Sequence, residues 1–65
     1  MRYVVTIEDP ENGFEDDFYE ETEDEAFDRG LDEIMLCDGE YATFTIYDSE
    51  EDCCIGTYNR DGEEV

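Results

Sequence analysis

Carboxylates are the main chemically active groups of this chain, because Asp and Glu make up 23 of its 65 residues. Two carboxylates can perform general acid–base chemistry when they face each other in a cleft. Acids occur throughout this sequence, so no pair stands out, and so short a chain can hardly enclose a substrate-sized cleft. His and Lys are absent, which removes the commonest general base and the amine nucleophile. We therefore predict that the protein is not an enzyme.

Three cysteines, Cys37, Cys53 and Cys54, are the remaining candidates for chemistry. A structural zinc site would need further ligands, and the chain has neither a Cys-x-x-Cys spacing nor a His. An odd number of cysteines, two of them adjacent, does not favour a disulfide framework. Segment 48–52 is acidic but lacks the twelve-residue pattern of a calcium loop. We expect no metal, no cofactor, and three reduced thiols in the cytoplasm, with Cys53 in the core.

The formal net charge of -20 limits the classes of partner. Nucleic acids and anionic membranes attract Lys and Arg, of which the chain has only three Arg. We therefore expect neither direct nucleic-acid binding nor membrane binding. B-DNA carries one negative charge per about 1.7 Å of axis, so 20 charges correspond to about 34 Å of duplex. A compact chain of this length is roughly 28 Å across, which gives a similar charge density.

The spacing of the acids is close to that of phosphates. Side chains at i and i+2 of a strand lie about 6.6 Å apart, and those at i and i+4 of a helix about 5–6 Å apart. Neighbouring phosphates on one DNA strand are separated by roughly 6–7 Å. Acids with such spacing occur as a pair on one predicted strand, as a row on the predicted helix and as a cluster in one turn. We predict that these acids contact a basic partner; they are Glu15 and Asp17, then Asp24, Glu25, Asp28, Asp32 and Glu33, then Asp48, Glu50, Glu51 and Asp52.

The elements that must position these acids begin with a β-hairpin. Residues 2–8 alternate and are rich in β-branched and aromatic side chains, which is typical of a strand. Residues 9–13 contain Pro and Asn-Gly, which favour a turn. Residues 14–20 are predicted to form the returning strand, on which Phe14 and Phe18 share a face.

A helix is predicted over residues 23–37. Thr22 and Glu25 have the spacing of a capping box at its start. Arg29 is placed to pair with the acids four residues away on either side. Gly39 is expected just past the helix end, at positive φ. The predicted buried stripe follows the helical period and consists of Phe27, Leu31, Ile34 and Met35, with Ala26 and Gly30 beside it.

Two further strands are predicted at 41–47 and 53–59, joined by the acidic turn, and residues 61–65 are expected to be a frayed tail. The order β-β-α-β-β indicates an α+β fold, a four-stranded antiparallel sheet with one helix packed on one face. Alternation, capping box and turns agree with one another, which argues against disorder. With no linker and no signal sequence, we expect a single domain over residues 1–65.

The sheet face away from the helix is predicted to carry tyrosines. If Phe44 and Ile46 pack beneath the helix, alternation turns four tyrosines to the other face, Tyr19, Tyr41, Tyr47 and Tyr58. Tyr is favoured at protein interfaces because it is large, rigid and carries a hydroxyl, so we expect Tyr41, Tyr47 and Tyr58 to contact the basic partner together with the acids. The same residues also fit the role of ordinary cross-strand tyrosines, half covered by their neighbours.

Three functions are consistent with these features. The leading hypothesis is a stoichiometric inhibitor that imitates duplex DNA and occupies the DNA-binding surface of a basic protein. The second is an acidic adaptor for another basic cytosolic protein, such as a nucleoid protein or a transcription factor. The third is a housekeeping protein of a halophile, whose acidity faces brine. We expect a monomer, because so much like charge opposes dimerisation.

In size, in its 23 acids, in its lack of Lys and in its β-β-α-β-β order, the chain resembles small phage-encoded anti-CRISPR and anti-restriction DNA mimics. Those proteins share no motif, so no functional residue carries over from the resemblance. It implies a target that binds DNA in the bacterial cytoplasm. The PAM-recognising large subunit of a type I CRISPR complex is favoured over a Cas9-like nuclease. Such effectors recognise the PAM with cationic side chains, for which an acidic decoy would compete.

Overall fold

The computed structural model describes all 65 residues and contains four strands and one helix. The strands form one antiparallel sheet in the order β2-β1-β3-β4, and the helix packs on one face of it. The predicted α+β fold with β-β-α-β-β order is therefore confirmed. The elements are β1 (Tyr3–Asp9), β2 (Phe14–Glu20), α1 (Glu23–Ile34), β3 (Thr43–Asp48) and β4 (Cys53–Tyr58).

The core lies between α1 and the two central strands. Alternate residues of β1 and β3 face the helix and are buried, and Ala26, Gly30 and Ile34 of α1 pack onto them. Burying a Val, Ile or Phe side chain contributes about 1.5–3 kcal/mol, so this small cluster supplies most of the hydrophobic stabilisation. The strand residues of the cluster are Tyr3, Val5, Ile7, Phe44 and Ile46.

The start of α1 follows the prediction. The Thr22 hydroxyl accepts a 3.1 Å hydrogen bond from the Glu25 amide and donates one of 2.9 Å to the Glu25 carboxylate. The first of these bonds satisfies one amide donor that the first helical turn leaves without a partner, and the second links the two side chains. It also uses the Glu25 carboxylate within the helix, so Glu25 is less free to contact a partner than its neighbours.

The end of α1 differs from the prediction. The helix ends at Ile34, and the chain then tightens through hydrogen bonds from Leu36 to Glu33 and from Cys37 to Ile34, both 3.1 Å. The tighter turn buries Cys37, whereas Met35, predicted in the buried stripe, is 72% exposed. The predicted extension of the helix to residue 37 is therefore wrong.

Gly39 is needed for close packing and not for a helix cap. It does not have the predicted positive φ, which among the glycines occurs at Gly13 and Gly62. Its amide donates a 3.2 Å hydrogen bond to Oδ2 of Asp9, and a Cβ at this position would overlap the Asp9 carboxylate. Only glycine lets the two segments approach this closely.

The register of β4 changes which residues face the helix. A bulge between Ile46 and Tyr47 shifts the pairing of β3 with β4. The Tyr58 ring lies on the helix side, with its centroid 5.1 Å from that of Phe27 and 5.3 Å from that of Phe44. Cys53, predicted in the core, is exposed because α1 lies across β1, β3 and β2 and leaves the start of this edge strand uncovered.

The C-terminal tail is held against the fold, contrary to the predicted fraying of residues 61–65. The Val65 amide donates to the Thr57 carbonyl and the Asn59 amide to the Glu63 carbonyl, both at 2.9 Å. An isolated β-bridge pairs Tyr58 with Glu64. The tail therefore covers part of the outer edge of β4, which protects an edge strand from pairing with other chains.

Candidate functional site

Most of the negative charge has no cationic partner. Five acids lie within 4.0 Å of an Arg guanidinium, and the other 18 of the 23 do not. Arg60 pairs with no acid and instead donates to the carbonyl oxygens of Cys37 and Gly39. All of these 18 acids except Asp9 are exposed. The five paired acids are Glu20, Glu33, Asp48, Glu50 and Glu51.

The helical row stands on the outer surface of α1. Asp24, Asp28 and Asp32 are exposed and have no Arg within 4.0 Å. Residues four apart on a helix rise by about 6 Å, so the row extends over about 12 Å of a rigid element. Three acids in the first turn complement the positive end of the helix dipole, which explains why the sequence tolerates them there.

Glu33, predicted to belong to this surface, is partly neutralised. Arg29 donates to its carboxylate at 3.2 Å and to that of Glu20 at 3.0 Å, while its guanidinium lies 5.0 Å from the Phe18 ring centroid. These carboxylates raise the pKa of Arg29. The predicted pairing of Arg29 with Glu33 is confirmed, whereas its second partner is Glu20 on the neighbouring strand and not Glu25.

The acids of β2 lie on the opposite face of the sheet. Glu15 and Asp17 pair with Glu8 and Thr6 of β1, and the Thr6 hydroxyl donates to Asp17 at 2.9 Å. Both acids are exposed and belong to an edge strand, where charge also opposes pairing with other chains. They cannot form one continuous row with the acids of α1, because the sheet separates the two groups.

The acids of the β3–β4 turn differ in exposure, because Asp48 is buried and the other three are exposed. Asp48 is only 5% exposed, accepts two 2.9 Å hydrogen bonds from Arg2, and accepts further bonds from the amides of Glu50 and Glu51. The Arg2 hydrogen bond, followed by those amides, lowers the pKa of Asp48. Asp48 therefore holds the turn together and is not available to a partner, although the sequence placed it in the binding surface.

Glu50 and Glu51 remain exposed beside Arg2, with carboxylate to guanidinium distances of 3.5 and 4.0 Å. Asp52 has φ of 54° and accepts a hydrogen bond from the Tyr47 hydroxyl, which raises the pKa of Tyr47. Asp is one of the few residues that tolerate this left-handed conformation. The turn thus presents two acids that are partly compensated and one that is bonded to a tyrosine.

The predicted tyrosine face is only partly present. Tyr19 and Tyr47 lie on the face away from α1, where both pair with Val4. Tyr41 is exposed but precedes β3 and lies outside the sheet. Tyr58 packs on the helix side, and burial raises its pKa. The bulge in β3–β4 pairing explains the error, because simple alternation does not anticipate an extra residue.

The sequence prediction also missed a pocket between the β1–β2 turn and the end of α1. Asp9, Phe14, Leu36 and Cys37 are among its lining residues. Asp9 was assigned to the turn, but it is the last residue of β1 and faces inward at 1% exposure. Extending the alternation of Tyr3, Val5 and Ile7 by one step would have indicated this.

No three Cys, Asp or Glu side chains converge closely enough to hold a metal ion, and the three cysteines are free. Helix α1 is neither long nor apolar enough to cross a membrane. A scan against protein-family models and searches of curated proteins and solved structures found no match to this chain.

Proposed function

We propose that this protein is a stoichiometric inhibitor that imitates duplex DNA and occupies the DNA-binding surface of a basic defence protein. The main support is the row formed by Asp24, Asp28 and Asp32 on α1. These carboxylates are exposed, have no Arg within 4.0 Å and stand on a rigid helix. Their rise of about 6 Å per step is close to the roughly 6–7 Å between neighbouring phosphates of one DNA strand.

The overall charge density is also similar to that of duplex DNA. The chain carries a formal charge of -20, and its longest dimension is 31 Å. B-DNA of that length carries about 18 charges, at one per about 1.7 Å. A basic DNA-binding groove would therefore attract this surface much as it attracts DNA. We expect fast association that weakens as salt rises.

The target class we propose is a CRISPR effector that recognises its PAM through cationic side chains. We favour the large subunit of a type I complex over a Cas9-like nuclease, on the resemblance described for the sequence. Inhibition of this kind needs no cofactor and no catalytic step. One inhibitor would occupy one DNA-binding site and compete directly with the target duplex.

Competition between this protein and DNA tests the proposal. A labelled duplex containing the PAM is bound to a purified type I effector, and its displacement is followed by fluorescence anisotropy. Wild type should displace the duplex, and Asp28→Lys/Asp32→Lys should do so about tenfold or more weakly, because two charge pairs become repulsive. Glu50→Lys/Glu51→Lys changes the net charge equally and should also weaken displacement, but by less, because these two carboxylates are already partly compensated by Arg2.

The outcomes separate the candidate functions. If both reversed variants fold, as judged by circular dichroism, and displace DNA as well as wild type, the decoy proposal is wrong. If wild type leaves DNA binding untouched and instead binds a basic protein that is not a nuclease, the adaptor hypothesis is correct. If the chain is unfolded in dilute buffer and folds only in molar salt, its acidity reflects adaptation to brine.

A further inference from the structure

A pocket of about 290 Å³ lies where the β1–β2 turn meets the end of α1. Its walls combine two kinds of side chain. Phe14, Leu36 and Cys37 are apolar, and Asp9, Glu33 and Asp38 carry carboxylates. Ligand sites usually have volumes of about 300–1,000 Å³, so this pocket suits a single side chain better than a large ligand.

The apolar wall is exposed in a chain whose surface is otherwise dominated by acids. Phe14 is 45% exposed and Leu36 is 79% exposed. Leu36 follows the end of α1, where the tightened turn that buries Cys37 directs Leu36 outward. Exposed apolar side chains that are grouped beside a polar rim are typical of contact sites.

The buried carboxylate of Asp9 lacks a partner on one oxygen. Oδ2 accepts hydrogen bonds from the Asn12 side chain at 2.8 Å and from the Gly39 amide at 3.2 Å, whereas Oδ1 accepts none. The bond from Asn12 is the main cause that lowers the pKa of Asp9, so the group is ionised. Oδ1 has almost no accessible surface and lies against Gly39, so an incoming group would not bond to it directly. A buried charge without a donor is nevertheless unfavourable, and a cation held in the adjoining pocket would stabilise it.

The chain itself shows how such a cation is held. Arg29 lies with its guanidinium over the Phe18 ring, between the carboxylates of Glu20 and Glu33. Phe14 stands four residues before Phe18 on β2, so the two rings share a face of the strand. The pocket thus repeats an aromatic ring flanked by carboxylates, and one of those carboxylates is again Glu33.

We propose that this pocket receives an arginine side chain of the basic partner, with the guanidinium stacked on Phe14 and the charge facing Asp9, Glu33 and Asp38. Leu36 and Cys37 contact the methylene groups of the arginine. Arginine fits better than lysine because its planar group stacks on aromatic rings and is less strongly hydrated. The proposal rests on the proposed function in one respect, that the partner is basic.

Titration with small arginine derivatives tests the pocket without any nuclease or DNA. Acetyl-arginine methylamide is added to isotope-labelled protein at constant ionic strength, and amide shifts are followed by NMR. We expect saturable shifts confined to Phe14, Asp9 and residues 36–39. The neutral acetyl-citrulline methylamide should produce none of them, and acetyl-lysine methylamide should bind about threefold or more weakly.

Two variants make the result specific. Phe14→Leu keeps an apolar side chain but removes the ring, and it should weaken arginine binding about threefold or more. Tyr19→Leu removes an exposed ring of the same strand on the opposite sheet face and should leave binding unchanged. Shifts spread over all acidic segments without saturation, or equal binding of citrulline or lysine, would overturn the pocket proposal. The DNA-competition result is independent of this titration, so either proposal can fail alone.

Discussion

Nη1 of Arg60 donates a 2.6 Å hydrogen bond to the carbonyl oxygen of Cys37, across 23 residues of the chain. The same nitrogen donates to the carbonyl oxygen of Gly39 at 2.9 Å. Arg60 therefore ties the C-terminal tail to the loop that follows α1. This loop also contains Leu36 and Asp38 of the proposed arginine pocket. A cation in so acidic a chain is thus used to hold backbone, not to neutralise an acid.

Replacing Arg60 should weaken the whole fold. Arg60→Gln removes both hydrogen bonds and should lower the free energy of unfolding by about 1–2 kcal/mol, the lower part of the range of about 1.5–3 kcal/mol for bonds to charged groups, because Arg60 is exposed. Urea denaturation followed by circular dichroism measures this change. Arg60→Lys keeps the charge and should restore only part of the loss. Equal stability of both variants and wild type would show that the contact contributes nothing.

Gly30 is required by the ring of Phe44. Alanine normally stabilises a helix interior by about 1 kcal/mol relative to glycine. At this position a Cβ would overlap the Phe44 ring, so Gly30→Ala should instead destabilise by about 1–3 kcal/mol. Urea denaturation shows whether Gly30→Ala lowers or raises the free energy of unfolding. In a Phe44→Leu background, Gly30→Ala should lower the free energy of unfolding much less, because the ring is gone. If Gly30→Ala stabilised the wild-type protein, the close contact between Gly30 and the Phe44 ring would be contradicted.

The sequence was sufficient to predict the features set by near neighbours. The alternation of β1, the turn at Gly13 and the capping box of Thr22 with Glu25 all depend on residues within a few positions of each other. The exposed row on α1 follows from the same helical period. These parts of the fold, and the exposure of the helical row, were therefore predicted correctly from spacing and residue type.

The remaining features depend on contacts between distant residues. Asp48 turns inward because Arg2, 46 positions away, binds it, and Gly39 is fixed by Asp9, 30 positions away. Tyr58 faces the helix because β4 has an extra residue, Ile55, opposite the step from Ile46 to Tyr47 of β3. Local patterns carry no information on such pairs, although the alternation of β1, extended by one step, would have placed Asp9 inside.

The three thiols should differ in reactivity. Cys53 and Cys54 are exposed, whereas Cys37 is buried, and burial, followed by the charge of Asp9, raises its pKa. The thiolate is the reactive form, so N-ethylmaleimide should modify two thiols quickly in the folded protein and the third only after unfolding. Mass spectrometry counts the adducts. Cys37→Ser should show the same two rapid adducts and no third, and three equal rates would contradict this assignment.

The carboxylate of Asp48 should make stability depend on pH in a defined direction. Its pKa is lowered in the folded state by the hydrogen bond from Arg2, relative to about 3.9 in an unfolded chain. A lowered pKa means that the stabilisation is complete above the unfolded value and is lost as pH falls through the folded one. Asp48→Asn should therefore be less stable than wild type at neutral pH, and the difference should shrink below about pH 4. Urea midpoints measured for both proteins at several pH values check this, because comparing the pair cancels the general effect of titrating the other acids. A difference that stays constant down to the lowest pH would show that the Asp48 charge is not what stabilises the turn.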